Sequence, residues 1–369
     1  MSAAARVTAL LGLLAAGPCT AQGSGAKGQP AESATVNRAQ ASSAQAALSA
    51  AMSAHVASSA SAPAVTPPSP ADPTAAWLSS ACVVALAPRR IEAGRMEGPG
   101  LFRATLEGPG GQGGPPVRRA ALLSIDLDAA PAAHRRPLAF ARMAEALGVD
   151  IVPRMVERHL GAGDLAALLG GLPLVKPKVL PHLSIQNDGT LTALLAAPFP
   201  GAAGDPWAEP ALTALHPKSA ALVARWESWA ASPAPAQGER PRLARAVVEM
   251  LVLDYLAANG TRRALLFSPE LDAVVLEDNR DAFPPNVERP LLDPLLRKLR
   301  AVARFPCGLR EALARFDRAR AEAVLNPGSF EGWLLSPRSL IELDERRAGL
   351  LSLIEAQIAL RGEEAVLSL

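Results

Sequence analysis

Lysine is scarce in this 369-residue chain, and none lies between Lys27 and Lys176. Arginine carries the positive charge, beside abundant alanine and proline, which reads as coding bias rather than a binding surface. The 37 basic and 35 acidic residues leave a net charge of +2. A chain so balanced has no strong field to draw in nucleic acid or an anionic membrane, and neither is expected as a partner. Cysteine is sparse too, with three residues in all. Cys82 and Cys307 remain if Cys19 leaves with a leader; an oxidising compartment permits one disulfide between them, and their pairing stays open. No Cys/His spacing suits a zinc site. The five histidines stand apart and read as surface or satisfied residues. The motifs Gly-x-Ser-x-Gly and His-Glu-x-x-His are missing. Beyond the first residues, no stretch is long and apolar enough for a transmembrane helix.

What is present starts with a leader. Arg6 precedes the apolar run Val7 to Ala16, which is too short to span a bilayer. Cys19-Thr20-Ala21 ends in small residues, so cleavage after Ala21 and a secreted or periplasmic location are expected. Lipidation of Cys19 is the competing reading, and Pro18 before it fits a lipid-attachment motif poorly. From Gln22 to Ala76 the chain is rich in Ala, Ser, Pro and Gly and lacks large apolar residues in rhythm. Such a segment cannot offset its own ordering entropy and reads as a flexible tether. Its Ala-rich middle, Ala39 to His55, has the composition to visit helix.

Folded sequence is expected from Trp77 to Leu369. Ser79 to Ala87, Leu101 to Leu106 and Ala120 to Ile125 read as strands, the last two joined by a Gly/Pro-rich tip from Gly108 to Pro116. Arg135 to Leu147 reads as a helix stopped by Gly148. His182 to Leu195 reads as a hairpin around Asn187-Asp188-Gly189. After Pro198 helices take over: Ser219 to Trp229, Arg242 to Leu256, Pro290 to Val302, Gly308 to Leu325 and Ser339 to Arg361. Val247, Val248, Leu251, Val252 and Tyr255 give the second of these an apolar face. A strand pair, Ala264 to Phe267 and Ala273 to Leu276, interrupts the helices. The order predicts an α+β fold in two lobes, strands at 77–198 and helices at 199–369. Trp207, Trp226, Trp229 and Trp333 read as packing residues.

The most informative stretch is Leu251 to Phe283, LVLDYLAANGTRRALLFSPELDAVVLEDNRDAF. It resembles the catalytic segment of the kinase-like family that includes four-jointed, the Golgi casein kinase and bacterial HipA-type kinases. That family carries DYL-x-GN-x-DR, a strand pair, then DN-x-x-x-F. Asp254-Tyr255-Leu256 and Asn259 match the first part, and Asp278-Asn279 with Phe283 match the second. Leu292-Asp293-Pro294-Leu295, the stretch Arg135 to Pro153, and the tail from Leu340 are similar to the family as well. The resemblance spans most of Trp77 to Leu369 and implies a bilobal, protein-kinase-like fold.

Phosphoryl transfer depends on positioned charge, and the resemblance implies four such groups. A strand lysine should hold phosphates, yet Ala120 to Ile125 has none, and Arg118 and Arg119 just before it are no simple substitute. The helix glutamate that orients the lysine falls on Pro137. Glu145, eight residues on, faces elsewhere on a helix of about 100° per residue. The catalytic aspartate falls on Thr261, which cannot act as a carboxylate base. Only the metal-binding aspartate survives, as Asp278, which equally suits a turn ending a strand. Asp254 and Asn259 read as loop-fixing residues. Gly98-Pro99-Gly100 sits where a phosphate-covering loop would lie, and Gly108 to Gly114 lacks the following helix of a P-loop.

The resemblance therefore implies an exported pseudokinase-like protein, a non-catalytic partner or regulator of another protein. Any binding of Mg or Mn and ATP would be weak and would involve Asp278. A divergent active phosphotransferase, and an unrelated exported binding or structural protein, remain as alternatives.

Overall fold

Helix α1 (Pro73–Ser80) opens the described structure, a computed structural model covering residues 72–369. Residues 89, 92–94, 97–99, 111–113, 128–133, 201–204, 216–219, 261, 263–264, 278, 288 and 329–331 are outside the description. The expected leader and nearly all of the expected tether are also outside the described residues. Asp72 caps α1 by accepting from the Thr74 amide at 2.8 Å, and Pro73 occupies its first position. This start draws Ser79 and Ser80 into the helix, and the expected strand begins only at Cys82.

Strands β1 (Cys82–Pro88), β2 (Arg90–Ile91), β3 (Arg95–Met96), β4 (Leu101–Gly108) and β5 (Val117–Ile125) follow. β4 and β5 form the expected hairpin, from Leu101 opposite Ser124 to Gly108 opposite Val117. Helix α2 (Arg135–Ala146) stops as its sequence predicts, with Gly148 at φ +68°. Strand β6 (Met155–Gly161) has no counterpart in the sequence reading. Its central residues Glu157, Arg158 and His159 are all polar, which erases the alternation but suits its edge place in the sheet.

Helices α3 (Ala162–Leu168) and α4 (Lys176–Val179) then cover one face of the sheet, burying Leu165, Leu169, Val175 and Val179 there. The hairpin expected at His182 to Leu195 is only half realised. Its turn forms, with Gly189 at φ +79°, and its second arm is β7 (Thr190–Ala196). The first arm makes single bridges, Ile185 with Leu191 and Leu183 with Leu127. β7 is buried from Leu191 onward and takes β5 and β6 as its ladder partners instead. The five strands run antiparallel in the order β1-β4-β5-β7-β6.

The second half is helical. β8 (Thr213–Leu215), α5 (Ala220–Ala231) and α6 (Pro241–Leu256) come first, then β9 (Leu265–Ser268) and β10 (Ala273–Val275). α7 (Arg289–Ala301), α8 (Leu309–Arg315), α9 (Arg318–Leu325), α10 (Pro337–Arg361) and α11 (Glu363–Val366) complete it. β8 adds an unforeseen third strand to the expected β9–β10 pair. The single helix expected from Gly308 to Leu325 is two, because Asp317 caps α9 by accepting from the Arg320 amide at 2.8 Å. All five residues of the α6 apolar face are buried, and so are nearly all the rest from Leu243 to Leu256. α6 is thus the central helix of the second lobe. α2 packs Leu138, Phe140 and Met143 into the same core while also touching β6, which couples strand-rich and helix-rich parts. The α+β, two-part order read from the sequence is the order observed.

Trp226 and Trp229 are buried as packing residues, and Trp207 packs with Trp77 against the core of the five-stranded sheet, where the two also flank the Arg119 guanidinium, at 4.7 and 5.1 Å from their ring centres. Cys82 and Cys307 are both exposed and free. Among the described residues no helix is long and apolar enough to cross a membrane.

Candidate functional site

The loop after α6 is shaped by how that helix ends. Ala258 takes a left-handed conformation (φ +51°). The Asn259 amide then returns to the Asp254 carbonyl at 2.7 Å and the Ala258 amide to Tyr255 at 3.2 Å. These are the paired bonds of a Schellman cap, whose left-handed position normally holds glycine. The related kinase-like pattern has glycine at that position. Here alanine keeps the conformation at a cost of about 1–2 kcal/mol.

That cap delivers Asn259 and Arg262 onto Asp254. Arg262 donates to both carboxylate oxygens of Asp254, from Nε at 2.7 Å and from Nη2, and Asn259 Nδ2 donates to Oδ1 at 3.1 Å. Arg262 Nη2 also donates to Asn279 Oδ1 at 3.0 Å, and Asn279 Nδ2 donates to the Leu276 carbonyl at 2.9 Å. The Phe283 amide closes the second segment by donating to Ala257 O at 2.7 Å. Residues of both matched segments therefore meet in one buried network. The Arg262 guanidinium lies 5.6 Å from the Phe140 ring of α2, which adds the coupling helix to it. Asp254 and Asn259 hold the loop, as the sequence reading assigns them. Thr261 and Asp278, the positions of the expected base and metal ligand, lie outside the described residues.

Glu277 and Arg280, on the same loop as Asn279, also line a cleft of about 630 Å³, counted to its open mouth. β5 contributes Leu122 and Ser124, α2 contributes Pro137, and β4, β6 and β7 contribute Leu101, Met155 and Leu194. Glu277 and Arg280, from the loop after β10, supply its charged side. The β5 residues in this lining are Leu122, Leu123 and Ser124, and the α2 residue is Pro137, on which the sequence reading places the helix glutamate. Pro137 is tolerated there because it sits in the first turn of α2, where amides have no helical partner. Glu145 points away, half exposed and nearest Arg154. Arg118 pairs with Glu107 and Arg119 stacks on tryptophan, so neither substitutes for the lysine. The described lining of this cleft contains no lysine, and its charged side chains are Glu277 and Arg280. Among the described residues, no cluster of three or more His, Cys, Asp or Glu side chains is arranged to hold a metal ion. Gly98 and Pro99 of the expected phosphate-covering loop lie outside the described residues.

One charged cluster escapes sequence reasoning. His134, just before α2, is buried with Nδ1 2.6 Å from Asp126 Oδ2 and Nε2 3.4 Å from Glu157 Oε2. Burial alone would push its pKa down, but the hydrogen bonds and charges of Asp126 and Glu157 raise it to about 9. The His134 hydrogen bond in turn holds Glu157 below the usual carboxylate range. The cluster ties the start of α2 to the end of β5 and to β6. Its three members are far enough apart in sequence that no motif signals it.

No protein-family profile and no curated protein matches this sequence. Among solved structures it is similar to that of hydra Fam20 with sugar, at 15% identity over 79% of this chain and 90% of that one, with a TM-score of 0.49. It is similar also to the Golgi casein kinase, at 13% identity over 77% and 75% of the two chains and a TM-score of 0.46. For the Golgi casein kinase with Mn/ADP bound the values are 15%, 79%, 76% and 0.47.

Proposed function

We propose that this chain is an exported pseudokinase-like protein that uses a kinase-like fold to bind a protein partner rather than to transfer phosphate. The carrying observation is the cleft lining, which presents Leu122, Ser124 and Pro137 and no lysine; on the kinase-like reading, this is where a strand cation and a helix carboxylate would be needed. The ordered motifs from Asp254 to Phe283, and the buried network that joins them, support the kinase-like assignment. Losing one positioned electrostatic group commonly costs an enzyme two to three orders of magnitude, about 3–4 kcal/mol. Such losses do not add, yet the missing groups together leave no apparatus for useful turnover. Asp278 could still give weak, metal-dependent nucleotide binding, as one carboxylate without partners binds a divalent ion poorly.

The test is purified Gln22 to Leu369 with labelled ATP and Mg²⁺ or Mn²⁺, assayed for transfer and for thermal shift. The expected result is no transfer and at most a small metal-dependent shift. Robust transfer abolished by Asp278→Ala would establish a divergent kinase instead. For export, mass spectrometry of the secreted or periplasmic protein should find Gln22 at its start, and a cytosolic protein retaining Met1 would remove that part.

A further inference from the structure

Part of β5 is left with an open edge. β7 pairs with β5 only from Leu122 opposite Ala196 to Ile125 opposite Ala193. Carried further, the same register would set Pro198 against Ala120 and Pro200 against Arg118. Proline has no N–H to give a ladder, so β7 stops there, and β5 runs on to Val117 paired with β4 alone. The Ile125 amide donates to Gly100 O, on the β4 side, at 3.0 Å. Alternation along an antiparallel strand then turns the N–H and C=O groups of Ala120 and Arg118 to the opposite edge. Among the described residues no other backbone segment bonds to them.

The outer edges of the sheet are less open to a newcomer. β1 is bulged between Val83 and Ala85 and ends in Pro88. α1 packs on β6, where Arg158 Nη1 donates to the Leu78 and Ala81 carbonyls.

A groove of about 420 Å³ lies at the open stretch, lined by residues 117–120 and by Asp205, Trp207 and Glu209 from the loop before β8. Its charges are matched but for one cation. Arg103 pairs with Glu209 and Arg118 with Glu107, while Asp205 Oδ1 accepts from the Trp207 amide at 3.0 Å. Arg119 rests on the uncharged rings of Trp77 and Trp207, and no carboxylate pairs with it among the described residues.

We propose that this groove takes an extended segment of a protein partner as an added strand on β5, with an acidic residue opposite Arg119. The segment exchanges backbone hydrogen bonds with Ala120 and Arg118. Its residue opposite Arg119 falls at a non-hydrogen-bonded pair, where facing side chains come closest, so a carboxylate there meets the guanidinium. The inference names a partner class for the binding role proposed above and rests on that role.

The test titrates the full chain with two capped pentapeptides, acetyl-Thr-Val-Glu-Val-Thr-amide and its counterpart with Lys for Glu, followed by amide-resolved NMR. The Glu peptide should shift the Arg118 and Ala120 amides saturably, and the Lys peptide should bind at least about fivefold more weakly. Arg119→Gln should bring the two affinities within about twofold of each other. Ala120→Pro removes only an outward N–H and should abolish the shift at Arg118. A Glu peptide N-methylated at both valines makes the same cut from the partner's side, in the wild-type chain, and should not bind. Absence of a saturable shift, equal binding of the two peptides, or undiminished binding of the N-methylated one would overturn the proposal. Those outcomes leave the non-catalytic reading of the cleft standing, whereas phosphate transfer from ATP would end that reading without moving these amides.

Discussion

Arg262 closes on both carboxylate oxygens of Asp254 with its Nε and Nη2 atoms, inside a network where the two side chains are 10% and 4% exposed. A buried pair of this kind is weak evidence for net stability, but breaking it leaves one charge stranded. Arg262→Met should therefore lower the unfolding free energy by about 3–5 kcal/mol in urea titration. Arg262→Lys should recover little, because an ammonium cannot serve two carboxylate oxygens and Asn279 from one plane. A loss below about 1 kcal/mol for Arg262→Met, the range of an exposed pair, would mean that the network does not hold the loop.

Gly260, two residues before Arg262, is required for a different reason. A Cβ there would lie 2.5 Å from Leu291 Cδ1 and 2.8 Å from the Leu291 carbonyl oxygen, and the latter belongs to backbone that cannot swing aside. Gly260→Ala should cost about 1–3 kcal/mol, as forced overpacking does. Gly163 in α3 is the control, because nothing lies within 4 Å of its added Cβ. Gly163→Ala should be neutral or stabilise by about 0.5–1 kcal/mol. Thermal unfolding of the two variants should move in different directions or by clearly different amounts.

The clasp at His134 sets a pH dependence whose sign follows from its shift. His134 titrates at about 9 in the folded chain, above its ordinary value of about 6.5. Its contribution is then fully present below about 6.5 and fades as pH rises through 9. Glu157, which also faces Arg142 and His159, is shifted the other way, so its contribution is lost on acidification. Stability should fall between pH 7 and 10, and His134→Gln should flatten that fall. NMR titration of the His134 ring should show a midpoint well above 8. A midpoint near 6.5 would mean that the two carboxylates do not clasp it.

How much of this was legible in the sequence depends on whether a feature is local. Asp254, Asn259, Asn279 and Phe283 could be read in order because a family pattern carries them along the chain. The pattern's glycine acquires its reason only in the structure, where Ala258 adopts φ +51° at the helix cap. The missing lysine and the proline at 137 were legible because an absent charge needs no partner to be noticed. β6 was not, since its charged centre at the sheet edge breaks the alternation that marks a strand. The His134 clasp and the burial of Arg262 against Asp254 were hidden for a deeper reason. Each exists only after tertiary packing has buried groups whose sequence neighbours say nothing about burial.

The last prediction asks what restoring one missing group would achieve. The sequence resemblance aligns Thr261 with a catalytic aspartate, so on the proposed reading Thr261→Asp supplies a base where one is expected. A base alone, however, has little to act on unless the phosphates are held in line, since this chemistry is mostly positioning and electrostatic stabilisation. The cleft lining still offers Leu122, Ser124 and Pro137 and no lysine, so on the proposed reading nothing there holds the phosphates. Groups that act as a unit are grossly non-additive: when one is missing, the others contribute little. Thr261→Asp should therefore show no phosphate transfer from labelled ATP above the wild-type background, with Mg²⁺ or with Mn²⁺. Adding Ser124→Lys and Pro137→Glu to it is the discriminating step. If the apolar lining is what silences the site, the triple variant should show a larger Mn²⁺-dependent thermal shift with ATP than the single variant does. If Thr261→Asp alone transfers phosphate well, some other cation already holds the nucleotide, and the reading of this cleft as non-catalytic is wrong.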